Sequence, residues 1–296
     1  MQPQPGIFAL GDPEHCFVEL DLRAGASATS LVSALAAMCG PETTIAGVSF
    51  VVGFAPELWR SVAPVPAEAG SSAVQPFEAI SGPGFTMPAT QHDAWFWISG
   101  GGRDVVFDST VRVLDAVSSL ASVGSELGGW LYQHTRDLTG FIDGTENPST
   151  LEAERVAVAG DGSSVLLYQK WRHLPSWRGL TDEEQERVIG RTKADSVQLD
   201  DDVMPEDSHV SRNVVEENGE ELAIYRRNVA YGGPTDHGTV FVGFCASQHP
   251  LDTMLRRMAG ADDGIRDALT RYTTPLSGAY YLVPAVDELR RFVELD

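Results

Sequence analysis

The chain has 296 residues, 43% of them hydrophobic, enough for a sizeable core in one large domain or two of about 150. Its 42 acidic residues against 21 basic ones give a net charge of −21, which argues against nucleic-acid or anionic-lipid partners and favours weak attraction for cationic small molecules. Three widely spaced cysteines, Cys16, Cys39 and Cys245, with no CxxC pair, give neither a disulfide framework nor a zinc site and suit a reducing compartment. Met1 to Pro5 has no basic or apolar leader region, and no segment reaches the length of a membrane span, so the expected location is cytoplasmic.

In chain order, Cys16 to Arg23 alternates and is rich in β-formers, predicting a strand. Ser27 to Met38, an Ala/Leu/Val run opened by Ser and Thr, predicts a helix, and Ala46 to Phe54 a second strand. A helix follows from Pro56. Ala63 to Pro88, rich in Pro, Gly, Ser and Ala, reads as a long surface excursion. Ala94 to Ser99 and Val105 to Phe107 flank Gly100-Gly101-Gly102, which without a GxGxxG or Walker pattern is a plain connection. Farther on, Ser164 to Trp171 predicts a strand and Thr181 to Val188 a helix with a capping-box start at Thr181 and Glu184. Gly238 to Cys245 predicts another strand, followed by a helix from Pro250. The two halves echo each other: Phe50-Val51-Val52-Gly53-Phe54-Ala55 resembles Phe241-Val242-Gly243-Phe244-Cys245-Ala246, each leading into a helix with an early proline. Strands interleaved with single helices favour an α+β fold with antiparallel sheets, and the echo is what two ferredoxin-like βαββαβ units would produce. The expected units are residues 6–130 and residues 131–296.

The richest segment is Gly140-Phe141-Ile142-Asp143-Gly144-Thr145-Glu146-Asn147-Pro148. On its own it reads as a tight surface turn, since Asp-Gly and Asn-Pro are turn dipeptides. His209, 66 residues later, follows an acidic loop and on its own reads as a solvent-exposed histidine. Tyr225-Arg226-Arg227-Asn228 reads as a strand in which Arg226 and Asn228 share one face and Arg227 takes the other. Leu255 and Met258, three apart on the helix after Pro250, read as core packing.

Together these segments resemble the B-type branch of the dye-decolourising peroxidases, with similarity from Gly6 to Pro284. The resemblance rests on GFIDGTENP, on Ser208-His209-Val210, and on Arg226-x-Asn228, and it implies a duplicated ferredoxin-like fold and one haem b per chain. The family pattern often has Asp where this chain has Arg227, a change on the opposite face of the strand. The resemblance assigns His209 to the iron, with Glu221, five residues before Arg226, in the position of the carboxylate that receives its other N–H. It assigns Asp143 and Arg226 to peroxide cleavage through Compound I, the carboxylate moving the proton and the guanidinium stabilising charge, with Asn228 positioning the peroxide or a water. Gly144, Thr145, Glu146, Arg191, Thr239, Phe241, Leu255 and Met258 are implied to line the haem, Arg191 meeting a propionate or forming a structural salt bridge. The implied partners are H2O2 and small reductants such as dyes, phenols, Mn(II) or porphyrinogens, with homo-oligomers from dimer to hexamer. The long C-terminal tail that docks some relatives inside a nanocompartment has no counterpart before Asp296. A haem-handling protein with incidental peroxidase activity is the alternative, and it has no use for Asp143, Arg226 and Asn228 together. A chlorite-dismutase-like enzyme would share the fold but also lacks a use for Asp143.

Overall fold

A computed structural model describes residues 1–39, 47–63, 74–133, 136–217 and 219–293. The first part of the chain forms β1 (Glu14–Leu22), α1 (Ala28–Ala36), β2 (Val48–Phe54), α2 (Pro56–Val62), β3 (Ile80–Gly82), β4 (Phe85–Met87), β5 (Ala94–Gly100), α3 (Arg103–Val117) and β6 (Ala121–Trp130). Then come α4 (Ala153–Ala157), β7 (Ser164–His173), α5 (Asp182–Ile189), α6 (His209–Asn213), β8 (Glu216–Glu217), β9 (Glu220–Glu221), β10 (Tyr225–Arg226), β11 (Val229–Gly232) and β12 (His237–Cys245). The chain closes with α7 (Gln248–Ala259), β13 (Thr273–Pro275), β14 (Ala279–Val283) and α8 (Val286–Val293).

The fold is mixed α/β with an antiparallel sheet. The strand order β10-β12-β11-β6-β1-β5-β2-β14-β7-β13, with a further pairing of β12 to β7, closes the sheet into a barrel. β10 and β11 lie end to end along one edge of β12, and β13 and β14 along one edge of β7. Each pair thus acts as one interrupted strand in an eight-membered ring. Because side chains alternate along a strand, one set points into the barrel and the other out. The inward set is unusually aromatic: Phe17, Trp95, Trp97, Tyr168, Phe244 and Tyr281. The outward set, including Val18, Leu20, Val52, Phe96, Ile98 and Leu167, packs beneath the helices in a second core with Leu31, Leu35, Leu255 and Leu289. Burying each large aliphatic side chain of that layer contributes about 1.5–3 kcal/mol.

The capping box at Thr181 and Glu184 forms as expected, and Gly190 in the left-handed conformation ends α5. Val105 to Phe107 falls inside α3, begun by Gly102. The expected surface excursion needs correction over its described part. Val74, Phe77, Ile80 and Met87 are buried, and β3 pairs with β4. Gly82 lets this hairpin press on the end of α7, since a Cβ there would sit 1.7 Å from the Ala259 carbonyl oxygen. Residues 64–73 of that stretch, and residue 46 at the start of the second predicted strand, lie outside the described residues.

Candidate active site

A polar and apolar cavity lies on the outer wall of the barrel, where β12 and β7 pass under α7. Thr239 pairs with Trp171, and Phe241 with Gln169, and all four face one cavity. Met254, Leu255 and Met258 of α7 cover them with buried apolar side chains. The cavity spans about 1350 Å3, part of it open to solvent. Every residue singled out from the sequence lines it: Asp143, Gly144, Thr145, Glu146, Arg191, His209, Glu221, Arg226, Asn228, Thr239, Phe241, Leu255 and Met258.

His209 opens α6, whose N-cap Ser208 accepts a hydrogen bond from the Ser211 N–H. Its Nδ1 lies 2.7 Å from Asp267 Oδ2, and Asp267 is fully buried. A carboxylate acceptor fixes the Nδ1–H tautomer and leaves Nε2 as a lone-pair donor toward the cavity. Asp267 is held in turn by the Leu269 N–H at 2.9 Å and Asn213 Nδ2 at 3.2 Å. This corrects the expectation that Glu221 backs the histidine. Glu221 is an exposed residue of the β8–β9 hairpin at the cavity's rim. Asp267 lies 58 residues beyond His209, in the turn after α7 where it caps a short 3-10 helix, and no local pattern links the two.

The other polar cluster is built by the loop before α4. Gly144 takes a positive φ of 77°, and the Asn147 N–H closes the turn on its carbonyl. Asp143 then accepts a hydrogen bond from Asn228 Nδ2 at 3.2 Å, while Asn228 Oδ1 is buried with no partner in the protein. Asn147, which the sequence did not single out, ties this loop to β10. Its Oδ1 accepts from the Arg226 N–H and its Nδ2 donates to the Arg226 carbonyl, both at 2.8 Å. A side-chain amide paired to a backbone amide in this way mimics one more strand residue.

Arg227 turns the other way and is buried. It donates to the carbonyls of Ile7 and Ala9 and sits over the Trp97 ring. Arg191 pairs with Glu146 and donates to the Ser196 carbonyl at 2.7 Å, so the salt bridge exists at the cavity wall. Asp137, also at the wall, is a further carboxyl the sequence did not single out. Burial, then the nearby Asp143 charge, pushes it up to about 6 against hydrogen bonds from Thr139. His173, bonded to Thr239 Oγ1 at 3.0 Å, is lowered to about 4 by burial and by His237 and Arg178.

Comparison with known proteins identifies the family. Residues 4–131 match the N-terminal part, and residues 134–288 the C-terminal part, of the Dyp-type peroxidase family. The chain belongs to that family. A dye-decolorizing peroxidase of Mycobacterium tuberculosis is 34% identical over 98% of this chain and 90% of its own length. One of Rhodococcus erythropolis is 35% identical over 87% of this chain and 78% of its own length. Among solved structures, a variant of Rhodococcus jostii DypB in complex with heme superposes with a TM-score of 0.90 at 33% identity, covering 98% of both chains. The encapsulated DyP-type peroxidase of Mycobacterium smegmatis superposes at 0.89 with 33% identity, covering 97% of both. In this Dyp-type peroxidase family member, one cavity thus holds an imidazole backed by a buried carboxylate together with Asp143, Asn228 and Arg226.

Proposed function

We propose that this chain is a haem-dependent peroxidase that reduces H2O2 and oxidises small reductants in one-electron steps. The observation that carries the reading is one apolar-walled cavity holding both His209, with a free Nε2, and the Asp143–Asn228–Arg226 cluster. The donor set suits haem b: an imidazole for the iron, Phe241, Leu255 and Met258 for the porphyrin, and Arg191 at the polar margin for a propionate. The unpartnered Asn228 Oδ1 supports a bound hydroxyl-bearing ligand, because a buried acceptor left unpaired costs about 1–3 kcal/mol.

Haem, when bound, supplies the iron that takes two oxidising equivalents from peroxide. The protein's part is acid–base and electrostatic. Asp143 takes the proton from the near oxygen of peroxide and returns it to the far oxygen as the bond breaks. Asn228 gives its N–H to Asp143 and offers Oδ1 to a peroxide O–H. The Arg226 side chain stabilises the negative charge on the departing oxygen, and Asn147 holds its backbone in place. The adjacent Arg191 is neutralised by Glu146, which leaves Arg226 as the unpaired positive charge among the described cavity residues.

The reading includes two ferredoxin-like units, residues 6–130 and residues 131–296. The strand order β6-β1-β5-β2 and its counterpart β11-β12-β7-β14 support it. It also includes homo-oligomers, a cytoplasmic location, and dyes, phenols or porphyrinogen-like molecules as reductants. No helix of the described residues is long and apolar enough to cross a membrane. A haem carrier remains the alternative, and the Asp143–Asn228–Arg226 cluster weighs against it. The test is His209→Ala, which should purify with little haem, or with haem that added imidazole retains; normal haem content and an unchanged Soret band would overturn the assignment.

A further inference from the structure

Among the described residues, Asp267 and Glu19 are the carboxylates with almost no exposed surface. Asp267 serves His209. Glu19 has no part in the peroxide chemistry, yet it sits inside the barrel at 2% exposure. Placing an acid there is costly unless something compensates it. Ser125 is one hydrogen-bond partner, and the other is an oxidisable group: the Tyr281 hydroxyl donates to Glu19 Oε1 at 2.7 Å. From Tyr281 the barrel interior continues as a file of redox-capable rings. Trp95 stacks on Tyr281 with centroids 6.3 Å apart, and Trp97 follows at 6.5 Å. The Trp97 indole N–H donates to His15 Nδ1 at 3.1 Å. His15 also lines a second cavity of about 1050 Å3, part of it open to solvent, and Asp143, Arg226 and Asn228 form part of the wall of both cavities. The file therefore ends at a cavity that shares one wall with the haem site.

We propose that the barrel interior is a built-in electron source, in which Trp97, Trp95 and Tyr281 reduce the oxidised haem when no external reductant is present and His15 and Glu19 take up the released protons. The proposal rests on the peroxidase reading above, and H2O2 is the oxidant. In the first step Trp97 gives one electron to the oxidised haem, and its indole proton moves to His15 Nδ1. The vacancy passes to Trp95 as an electron and the His15 proton return to Trp97. It then passes to Tyr281, which gives up one electron while its phenolic proton moves to Glu19. The end state is a neutral tyrosyl radical beside a neutral carboxylic acid, with the haem reduced by one equivalent.

The surroundings of each ring set the direction. Arg227 lies over the Trp97 ring at 5.0 Å, and a cation there disfavours a positive vacancy. His15 is a poor proton store, since burial and Arg227 lower it to about 4. The Trp95 N–H is buried with no acceptor at all, so its oxidised form cannot be stabilised by losing a proton. Glu19 has the opposite character, because burial raises its affinity for a proton. Tyr281 is therefore the resting place of the vacancy, at the end of the file away from His15 and enclosed by the barrel.

The test is to mix haem-loaded protein with one equivalent of H2O2 without reductant, freeze rapidly, and record electron paramagnetic resonance. The wild-type chain should give a tyrosyl signal that narrows when tyrosine is ring-deuterated. Tyr281→Phe should lose it. Glu19→Gln keeps a hydrogen-bond acceptor of the same shape but cannot take the proton, and should lose it too. Trp97→Phe should make the oxidised haem spectrum persist about tenfold longer or more. Circular dichroism and haem content matching wild type establish that each variant is folded. An unchanged tyrosyl signal in folded Tyr281→Phe or Glu19→Gln would overturn the proposal while leaving the peroxidase reading intact. A wild-type chain that forms no oxidised haem with peroxide would overturn both.

Discussion

Replacing Asp267 by Asn tests which carboxylate governs His209. The side chain has no solvent exposure and receives three hydrogen bonds, from His209 Nδ1, Leu269 N–H and Asn213 Nδ2. An asparagine can still accept from His209 through its oxygen. Its NH2 must then take the place of Oδ1 and face the Leu269 N–H, which is a donor. The substitution thus loses the charge assistance of one short bond and sets donor against donor in a dry site. A hydrogen bond to a charged group contributes about 1.5–3 kcal/mol, and loss of such a partner typically costs about 10–100-fold in affinity at a ligated centre. Haem transfer to an excess of apomyoglobin should therefore run about 10–100-fold faster from Asp267→Asn than from wild type. The reduction potential of the bound iron should rise, because the imidazole loses anionic character. Glu221→Gln, at the exposed rim, should leave both quantities near wild type. The reasoning fails if Glu221→Gln speeds haem loss and Asp267→Asn does not.

The remaining predictions concern the peroxide side and acid stability. Arg226→Leu should slow oxidation of the haem by peroxide on the order of 100-fold, at least as much as Asp143→Ala, because water can partly replace a proton carrier but not a fixed positive charge; stopped-flow rates at wild-type speed in both would refute the mechanism. Asn147→Ala removes both hydrogen bonds to the Arg226 backbone and should lower the same rate with haem content unchanged, so an unaltered rate would remove Asn147 from the account. Stability should fall as pH drops from 6.5 toward 4, because His15 and His173 are both lowered to about 4, and the unfolded chain binds protons there that the folded chain refuses. A shift of that size corresponds to up to about 3 kcal/mol per histidine. Asp137, raised to about 6, acts oppositely: its contribution is present below its ordinary value and is lost as pH rises through about 6. Urea midpoints across this range should therefore flatten in His15→Gln and steepen in Asp137→Asn, and parallel curves for all three proteins would contradict the burial argument.

What the sequence made legible was local. GFIDGTENP, Ser208-His209-Val210 and Arg226-x-Asn228 are contiguous motifs whose residues meet because each segment is short, and they converge on one cavity. Strands such as β1, β7 and β12 were readable from β-rich runs that are buried on both faces. β6 was not, since Ala121–Trp130 is rich in Gly and Ser and is largely unburied along its middle, leaving no apolar period to detect. The anchors Val74, Phe77, Ile80 and Met87 are scattered among Pro, Gly, Ser and Glu, which hides that the stretch packs inward. Asp267 and Asn147 escaped for a different reason. Each acts through a hydrogen bond to a residue 58 or 79 positions away, and only the closed barrel and α7 bring those partners together.

The central claim is that one cavity both binds haem through His209 and cleaves peroxide with Asp143 and Arg226. Stopped-flow absorbance of the haem-loaded protein mixed with one equivalent of H2O2 tests it most directly. The account predicts rapid, stoichiometric conversion of the ferric Soret band to that of an oxidised haem, followed by return to ferric on adding a one-electron reductant. A ferric spectrum that stays unchanged, or only bleaches slowly, would contradict it and mark the chain as a haem carrier.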